Sequence, residues 1–175
     1  MPQHGFQRLR RRIARVFRHL ACDRRDLDRA FPASALDRIE RRIAEGERRH
    51  GAEVRVAIEA SLAPRRAWAD APPRDRALEV FGRLRVWDTE ANNGVLIHLL
   101  LADRSVEIVA DRGAARVIEA AEWRSISEAM AQSFRTGRFV DGVLEALDRL
   151  EPQLAQAFPP DGPNPDELPN RPAVI

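Results

Sequence analysis

With 175 residues, 44% of them hydrophobic and 32% charged, the chain is long enough to bury one core beneath a well-solvated surface. The formal net charge is only +2 and lysine is absent, so the high pI of about 9.7 does not reflect the sustained basic character of a nucleic-acid-binding protein. Nucleic acid is therefore not an expected partner. Cys22 is the single cysteine, which excludes an internal disulfide and suits a reducing compartment.

An amphipathic helix is predicted for residues 6–21, where apolar residues recur at helical spacing and arginines occupy the other face. Two interpretations are open. The helix docks on its own domain or on a partner protein with its arginines outward, or it lies on an anionic membrane surface. The chain has no secretory signal pattern and no run of roughly 20 apolar residues that would span a membrane. We therefore expect a cytoplasmic protein, peripheral to the membrane if this helix binds lipid.

Helices and strands alternate in the next part of the sequence. The predicted elements are a polar connector at 23–32, a helix at 35–49, a strand at 53–60, a loop at 60–71 and a helix at 73–85. Ser34 is expected to cap the first of these helices, and Pro72 and Pro73 suit the start of the second. A crossover helix between two strands favours their parallel pairing.

The most apolar run of the chain, residues 95–102, predicts a central strand that is covered on both faces. The short turn at Asp103 and Arg104 predicts antiparallel pairing with a strand at 105–110. Helices are predicted at 114–120, 122–135 and 139–151, and Pro152 is expected to stop or kink the last of them. The fold class is therefore α/β, a small mixed β-sheet sandwiched between helices, with an added amino-terminal amphipathic helix.

Three segments follow from these elements. They are an arginine-rich helix with its connector at 1–33, an α/β domain at 34–158 and a proline-rich tail at 159–175 that is expected to be disordered.

Oxygen-bearing side chains gather at both ends of the predicted hairpin, where its first strand begins and its second strand ends. Because the strands are antiparallel, these two ends lie side by side. Carboxylate and amide oxygens favour a hard cation, Ca²⁺ or Mg²⁺. The predicted metal ligands are Asp88, Asn93, Asp111 and Glu122, and the predicted ligand-binding residues are Thr89, Asn92 and Arg112. The alternative is that the Asp and Asn residues only form turns.

Chemistry outside this cluster is sparse. The common signatures of serine hydrolases, P-loop enzymes, zinc proteases and dinucleotide-binding enzymes are missing from the sequence. His98 lies within the central strand and is interpreted as a core histidine with a satisfied hydrogen bond. No catalytic residue is therefore predicted.

A family resemblance accompanies these patterns. The stretch WDTEANNGVLIHLLLADRSVEIVADRG, followed by AEW, SFRTGRF and DGVLEALDRL, resembles the TPM-domain family over residues 34–158. The resemblance implies an α/β sandwich with a small mixed sheet. Some family members bind divalent cations at acidic loop residues near one end of the sheet, and Asp88, Asn93 and Asp111 are the matching positions. Plant members include a thylakoid-lumen acid phosphatase linked to photosystem II repair. Many bacterial relatives are secreted or membrane-tethered, whereas this sequence resembles a short soluble variant.

Two functions follow as hypotheses. The first is a non-enzymatic interaction module that binds a divalent cation and acts with a membrane protein or assembly, with residues 6–21 contacting that partner or an anionic membrane. The alternative is a metal-dependent phosphomonoester hydrolase, in which the cation polarises the phosphate and activates a water molecule. The sequence leaves the oligomeric state open.

Overall fold

The computed structural model describes residues 3–160 and 167–175. Within them, four strands form one sheet in the order β3-β2-β1-β4. The strands are β1 (Val54–Glu59), β2 (Val95–Leu100), β3 (Ser105–Ala110) and β4 (Ala173–Val174). β1 pairs in parallel with β2 and β4, and β2 pairs antiparallel with β3. The predicted mixed sheet, the parallel pairing and the hairpin are confirmed.

Eight helices in the described residues surround this sheet. They are α1 (Gln3–Ala21), α2 (Arg24–Ala30), α3 (Ala33–Glu47), α4 (Pro64–Ala69), α5 (Pro73–Arg83), α6 (Arg112–Val117), α7 (Ala120–Arg135) and α8 (Phe139–Ala157). None of them is both long enough and apolar enough to cross a membrane.

The two faces of the sheet bury different side chains because successive residues of a strand point to opposite sides. One face carries Val56 and Ile97 and packs in the larger core with α3, α7 and α8. The other face carries Ala57 and Leu96 and packs in a smaller core with α5. Every residue of β1 and β2 is buried, which confirms that the central strand is covered on both sides.

Three local predictions were wrong, and a fourth was wrong in one of its two alternatives. The segment interpreted as a polar connector contains α2, which Asp23 caps through a reciprocal hydrogen-bond pair with Asp26. Pro32, rather than Ser34, precedes the first turn of α3, and no side chain caps that helix. The predicted loop at 60–71 contains α4. For Pro152, the first of the two expected effects is excluded, because α8 continues through this proline to Ala157, whereas a kink stays a prediction.

The prediction of a disordered tail is corrected for residues 167–175. Leu168 is 5% exposed and belongs to the smaller core, and the Ile175 N–H donates to Ile58 O at 3.0 Å. Arg55 donates to the Pro169 and Arg171 carbonyl oxygens, which ties the same segment to β1. These contacts place β4 along the edge of β1. Residues 161–166, which are part of the same predicted tail, lie outside the described residues.

The amino-terminal helix α1 lies against α4 and the turn between β2 and β3. Arg15 and His19 are buried in this contact, at 7% and 3% exposure. The apolar side of the helix faces solvent instead. Docking on its own domain was one of the two interpretations, but the expectation that the arginines all point outward was wrong.

Candidate functional site

The loop end of the hairpin, defined as residues 86–94 and 111–113, is joined by backbone hydrogen bonds. The Asp111 N–H donates to Gly94 O at 2.8 Å, and the Gly113 N–H donates to Asn92 O at 2.8 Å. The segment before β2 and the segment after β3 are therefore neighbours, as the antiparallel pairing requires. Asn92 adopts a left-handed turn conformation with φ of 52°, which asparagine tolerates better than most residues.

Two glycines allow the loop end to pack this closely. A Cβ atom on Gly94 would lie 1.9 Å from Val86 O, and one on Gly113 would lie 2.5 Å from Asn92 O. Neither distance is possible for a carbon and an oxygen that are not bonded. Both glycines therefore allow a close approach of two backbone segments: Gly94 approaches Val86, and Gly113 lets the start of α6 approach Asn92.

Asn93 and Asp111 are buried at the loop end, with exposures of 3% and 9%. The Asn93 side-chain amide donates to Gly51 O at 2.6 Å, and Asp111 Oδ1 accepts from the Arg112 N–H at 2.7 Å to cap α6. The second oxygen of each side chain, Asn93 Oδ1 and Asp111 Oδ2, is buried without a hydrogen-bond partner. Burial of an acceptor without a donor is unfavourable, so these two atoms are polar groups that the described residues leave unsatisfied at the loop end.

The remaining predicted residues differ in their availability. Asp88, Asn92 and Arg112 are exposed, whereas Thr89 is buried and its Oγ1 accepts from the Asn93 N–H at 3.1 Å. Glu122 Oε1 accepts from Arg149 Nη2 on α8 at 2.6 Å. A cation at Glu122 would compete with this arginine for the carboxylate, and its role as a metal ligand stays a prediction.

One carboxylate at the loop end was not predicted. Both carboxylate oxygens of Glu167 lie 3.2 Å from the Glu90 N–H, so the chain after residue 166 returns to this loop. The Leu168 N–H then donates to Glu53 Oε2 at 3.1 Å, next to the start of β1. No local pattern indicates this contact, because the partners are separated by 77 and 115 residues.

Among the described residues, no group of three or more His, Cys, Asp or Glu side chains could by itself hold a metal ion. A cation at the loop end would need amide, hydroxyl or backbone oxygens besides the carboxylates. Calcium accepts such mixed oxygen sets, with six to eight ligands that commonly include carbonyls and water.

Comparison with known proteins bears on this arrangement. A family model described as the TPM domain matches residues 25–153, most of the chain. The chain belongs to the TPM-domain family. A similar solved structure is the NMR structure of the BA42 protein from the psychrophilic bacterium Bizionia argentinensis, with a TM-score of 0.72 and 28% sequence identity. The match covers 83% of this chain and 95% of BA42. No curated protein matches the chain.

The TPM domain also contains a buried ionic network beneath α5. Arg76 binds Glu59 through two hydrogen bonds of 2.9 and 2.8 Å, and His98 Nε2 lies 3.3 Å from the same carboxylate. Burial would raise the pKa of Glu59, but the hydrogen bonds from His98 and Arg76 together lower it below its ordinary value. His98 is therefore a core histidine with a partner, as predicted.

This network does not form an accessible catalytic pair. The side chains of His98 and Glu59 are 2% and 8% exposed, so a substrate could not reach either of them without movement of α5. The network instead satisfies polar groups that β1 and β2 place on the second face of the sheet.

Proposed function

We propose that this TPM domain is a non-enzymatic interaction module that binds a divalent cation, Ca²⁺ or Mg²⁺, at the loop end and acts with a membrane protein or assembly. The observation that supports cation binding is the pair of buried oxygens without donors, Asn93 Oδ1 and Asp111 Oδ2. A cation would compensate both, because it interacts with amide and carboxylate oxygens alike. Water alone would leave the buried carboxylate without a counter-charge at this position.

The proposed ligands are Asp88, Asn93 and Asp111. Asp88 is exposed and lies on the same loop as Asn93, between Val86, which approaches Gly94, and Asn92, which approaches Gly113. Thr89 and Asn92 lie on the same loop and are the proposed sources of additional oxygens. Arg112 is exposed beside Asp111, where it would contact an anionic group of a partner.

The residues of the loop end support binding rather than catalysis. Even when a cation-bound water serves as the nucleophile, hydrolysis of a phosphate ester is usually assisted by a side chain that donates a proton to the leaving group. Residues 86–94 and 111–113 contain no histidine, cysteine, serine or lysine, and the hydroxyl of Thr89 is buried. The buried His98–Glu59 pair is not accessible from solvent.

Cation binding is tested by titrating Ca²⁺ and Mg²⁺ into the isotopically labelled chain and recording amide chemical shifts. We expect shifts confined to residues 87–94 and 111–113. Asp111→Asn should abolish them while preserving the cap of α6, because the asparagine oxygen still accepts the Arg112 N–H. Glu122→Gln is the matched control, since it removes one negative charge from a carboxylate that is already paired, and it should leave the titration unchanged.

Two outcomes would contradict the proposal. One is a titration in which Asp111→Asn and Glu122→Gln behave alike, which would mean that the cation responds only to net charge. The other is turnover of a generic phosphate ester in Mg²⁺, Ca²⁺ or Mn²⁺ that Asp111→Asn eliminates. That result would favour the metal-dependent hydrolase.

A further inference from the structure

We propose that α1 is a peripheral membrane anchor whose exposed apolar side inserts into the surface of an anionic lipid bilayer. The inference deepens the proposed interaction function by naming lipid as the partner of this helix. It does not depend on cation binding at the loop end.

The apolar side of α1 has no partner in the described part of the chain. Its members and their exposures are Phe6 64%, Leu9 43%, Ile13 40%, Phe17 66% and Leu20 61%. They recur at intervals of three and four residues, so they lie along one side of the helix. A continuous exposed apolar side of this length marks an interaction surface rather than a scatter of single exposed residues.

A different side of the helix makes the contact with the domain. Arg15 binds Asp103 through Nε at 2.9 Å and Nη2 at 2.7 Å, and His19 Nδ1 accepts the Leu62 N–H at 2.9 Å. The Cys22 thiol donates to Ala60 O at 3.3 Å. These polar contacts hold the helix in place while its apolar side remains open.

The positive charge of α1 favours an anionic partner. Residues 5–21 contain six arginines and no acidic residue, whereas the whole chain has a net charge of only +2. The rest of the protein is therefore net negative. Within α1, Arg15 and Arg18 are paired with Asp103, and the other four arginines make no ion pair within the described residues. Arg10 lies over the Phe6 ring, with its guanidinium carbon 5.7 Å from the ring centre. An arginine next to an inserted aromatic ring is suited to contact lipid phosphates.

A second copy of the chain is a less favourable occupant of this surface. Pairing two apolar sides would bring two such helices together, and each carries four arginines, Arg8, Arg10, Arg11 and Arg12, that make no ion pair within the described residues. An anionic bilayer provides both an apolar layer and negative charge, and a helix lying in the interface needs no spanning length.

The test is flotation of the full chain with phosphatidylcholine vesicles and with vesicles that contain phosphatidylglycerol, in EDTA. We expect recovery with the anionic vesicles, and we expect high salt to reduce it. Phe17→Ser combined with Leu20→Ser should weaken the binding at least tenfold. Leu78→Ser is the matched control, because Leu78 is 49% exposed on α5 and is not part of the apolar side of α1, and this variant should bind like the wild type.

Three results would overturn the inference. The first is no flotation of the wild type with anionic vesicles, and the second is equal weakening of binding by Leu78→Ser. The third is a self-associated species in analytical ultracentrifugation that becomes monomeric when Phe17→Ser and Leu20→Ser are introduced. The last would mean that a second copy covers the apolar side. Because EDTA removes free divalent cations, failure of flotation is independent of the loop end, and failure of the cation titration leaves the flotation result standing.

Discussion

Replacement of Asp103 by alanine should release α1 from the domain. Asp103 lies in the turn between β2 and β3 and is bound by three residues of α1. Besides the two hydrogen bonds from Arg15, Arg18 Nη2 lies 3.1 Å and His19 Nε2 lies 3.2 Å from Oδ1. Because His19 Nδ1 accepts the Leu62 N–H, the proton of the neutral ring lies on Nε2, which is buried near Asp103 without making a hydrogen bond.

The magnitude follows from burial. The side chains of Arg15 and Asp103 are 8% and 9% exposed, and without Asp103 the nearest remaining carboxylate is Asp70, at 3.4 Å and itself 37% exposed. Removal of one partner of a buried ion pair costs about 3–5 kcal/mol. Here the cost is limited by the free energy of docking, because release of α1 returns Arg15 to water. A loss of about 3 kcal/mol corresponds to a roughly 100-fold larger equilibrium constant for the release of α1.

Hydrogen exchange of amides in α1 measures this opening directly. We expect exchange in residues 13–21 to accelerate about 100-fold in Asp103→Ala, while the strands of the core stay protected. Asp28→Ala is the control, because it removes an exposed pair with Arg24 and should cost less than about 1 kcal/mol. If exchange in α1 changes less than twofold in Asp103→Ala, then this carboxylate does not hold the helix.

Acid should weaken the same contact in two steps. Burial lowers the pKa of His19 below its ordinary value of 6.5, against the opposing effect of Asp103. Burial alone would raise the pKa of Asp103. The hydrogen bonds from Arg15, together with electrostatic attraction to His19 and Arg15, outweigh burial and lower this pKa below its ordinary value of 3.8. Both groups take up protons more readily in the released state, so docking weakens below pH 6.5 through His19 and again below 3.8 through Asp103. Exchange in α1, corrected for intrinsic rates, should follow this order, and a contact that strengthens on acidification would refute it.

Three further predictions concern stability, measured by urea unfolding. Glu59→Ala should cost about 3 kcal/mol, because it removes both hydrogen bonds that Glu59 accepts from Arg76 and leaves Arg76 with only the exposed Glu79 as its partner. Glu79→Ala, at 50% exposure, should cost less than about 1 kcal/mol, and equal costs would contradict the buried network. Gly94→Ala should prevent stable folding, because the added methyl group would collide with Val86 O. Gly82→Ala, in open space on α5, should raise the free energy of unfolding by about 0.5–1 kcal/mol. A stably folded Gly94→Ala variant would refute the close backbone approach. Deletion of residues 167–175 should cost at least about 2 kcal/mol through loss of one buried leucine, and an unchanged midpoint would contradict the docking of β4.

The sequence by itself determined the central hairpin and its loop end. The eight-residue apolar run before Asp103 specifies a buried strand, and the short turn requires the next strand to return beside it. That pairing alone brings the segment containing Asn93 next to Asp111. The helices after the hairpin were also predictable, since Ile126, Met130 and Phe134 recur at helical spacing and are all buried. The start of α2 had a local signal too, because two aspartates three residues apart form its capping box.

Only the tertiary structure decided which side of α1 faces the domain. Periodicity identifies an apolar side and normally predicts that it is buried. Here the ion pair between Arg15 and Asp103, which are 88 residues apart, orients the helix instead. The same reason applies to the pairing of Glu122 with Arg149 and to β4, whose two residues have no pattern of their own. Contacts between distant residues depend on where the core places both partners, and a local sequence pattern describes only one of them at a time.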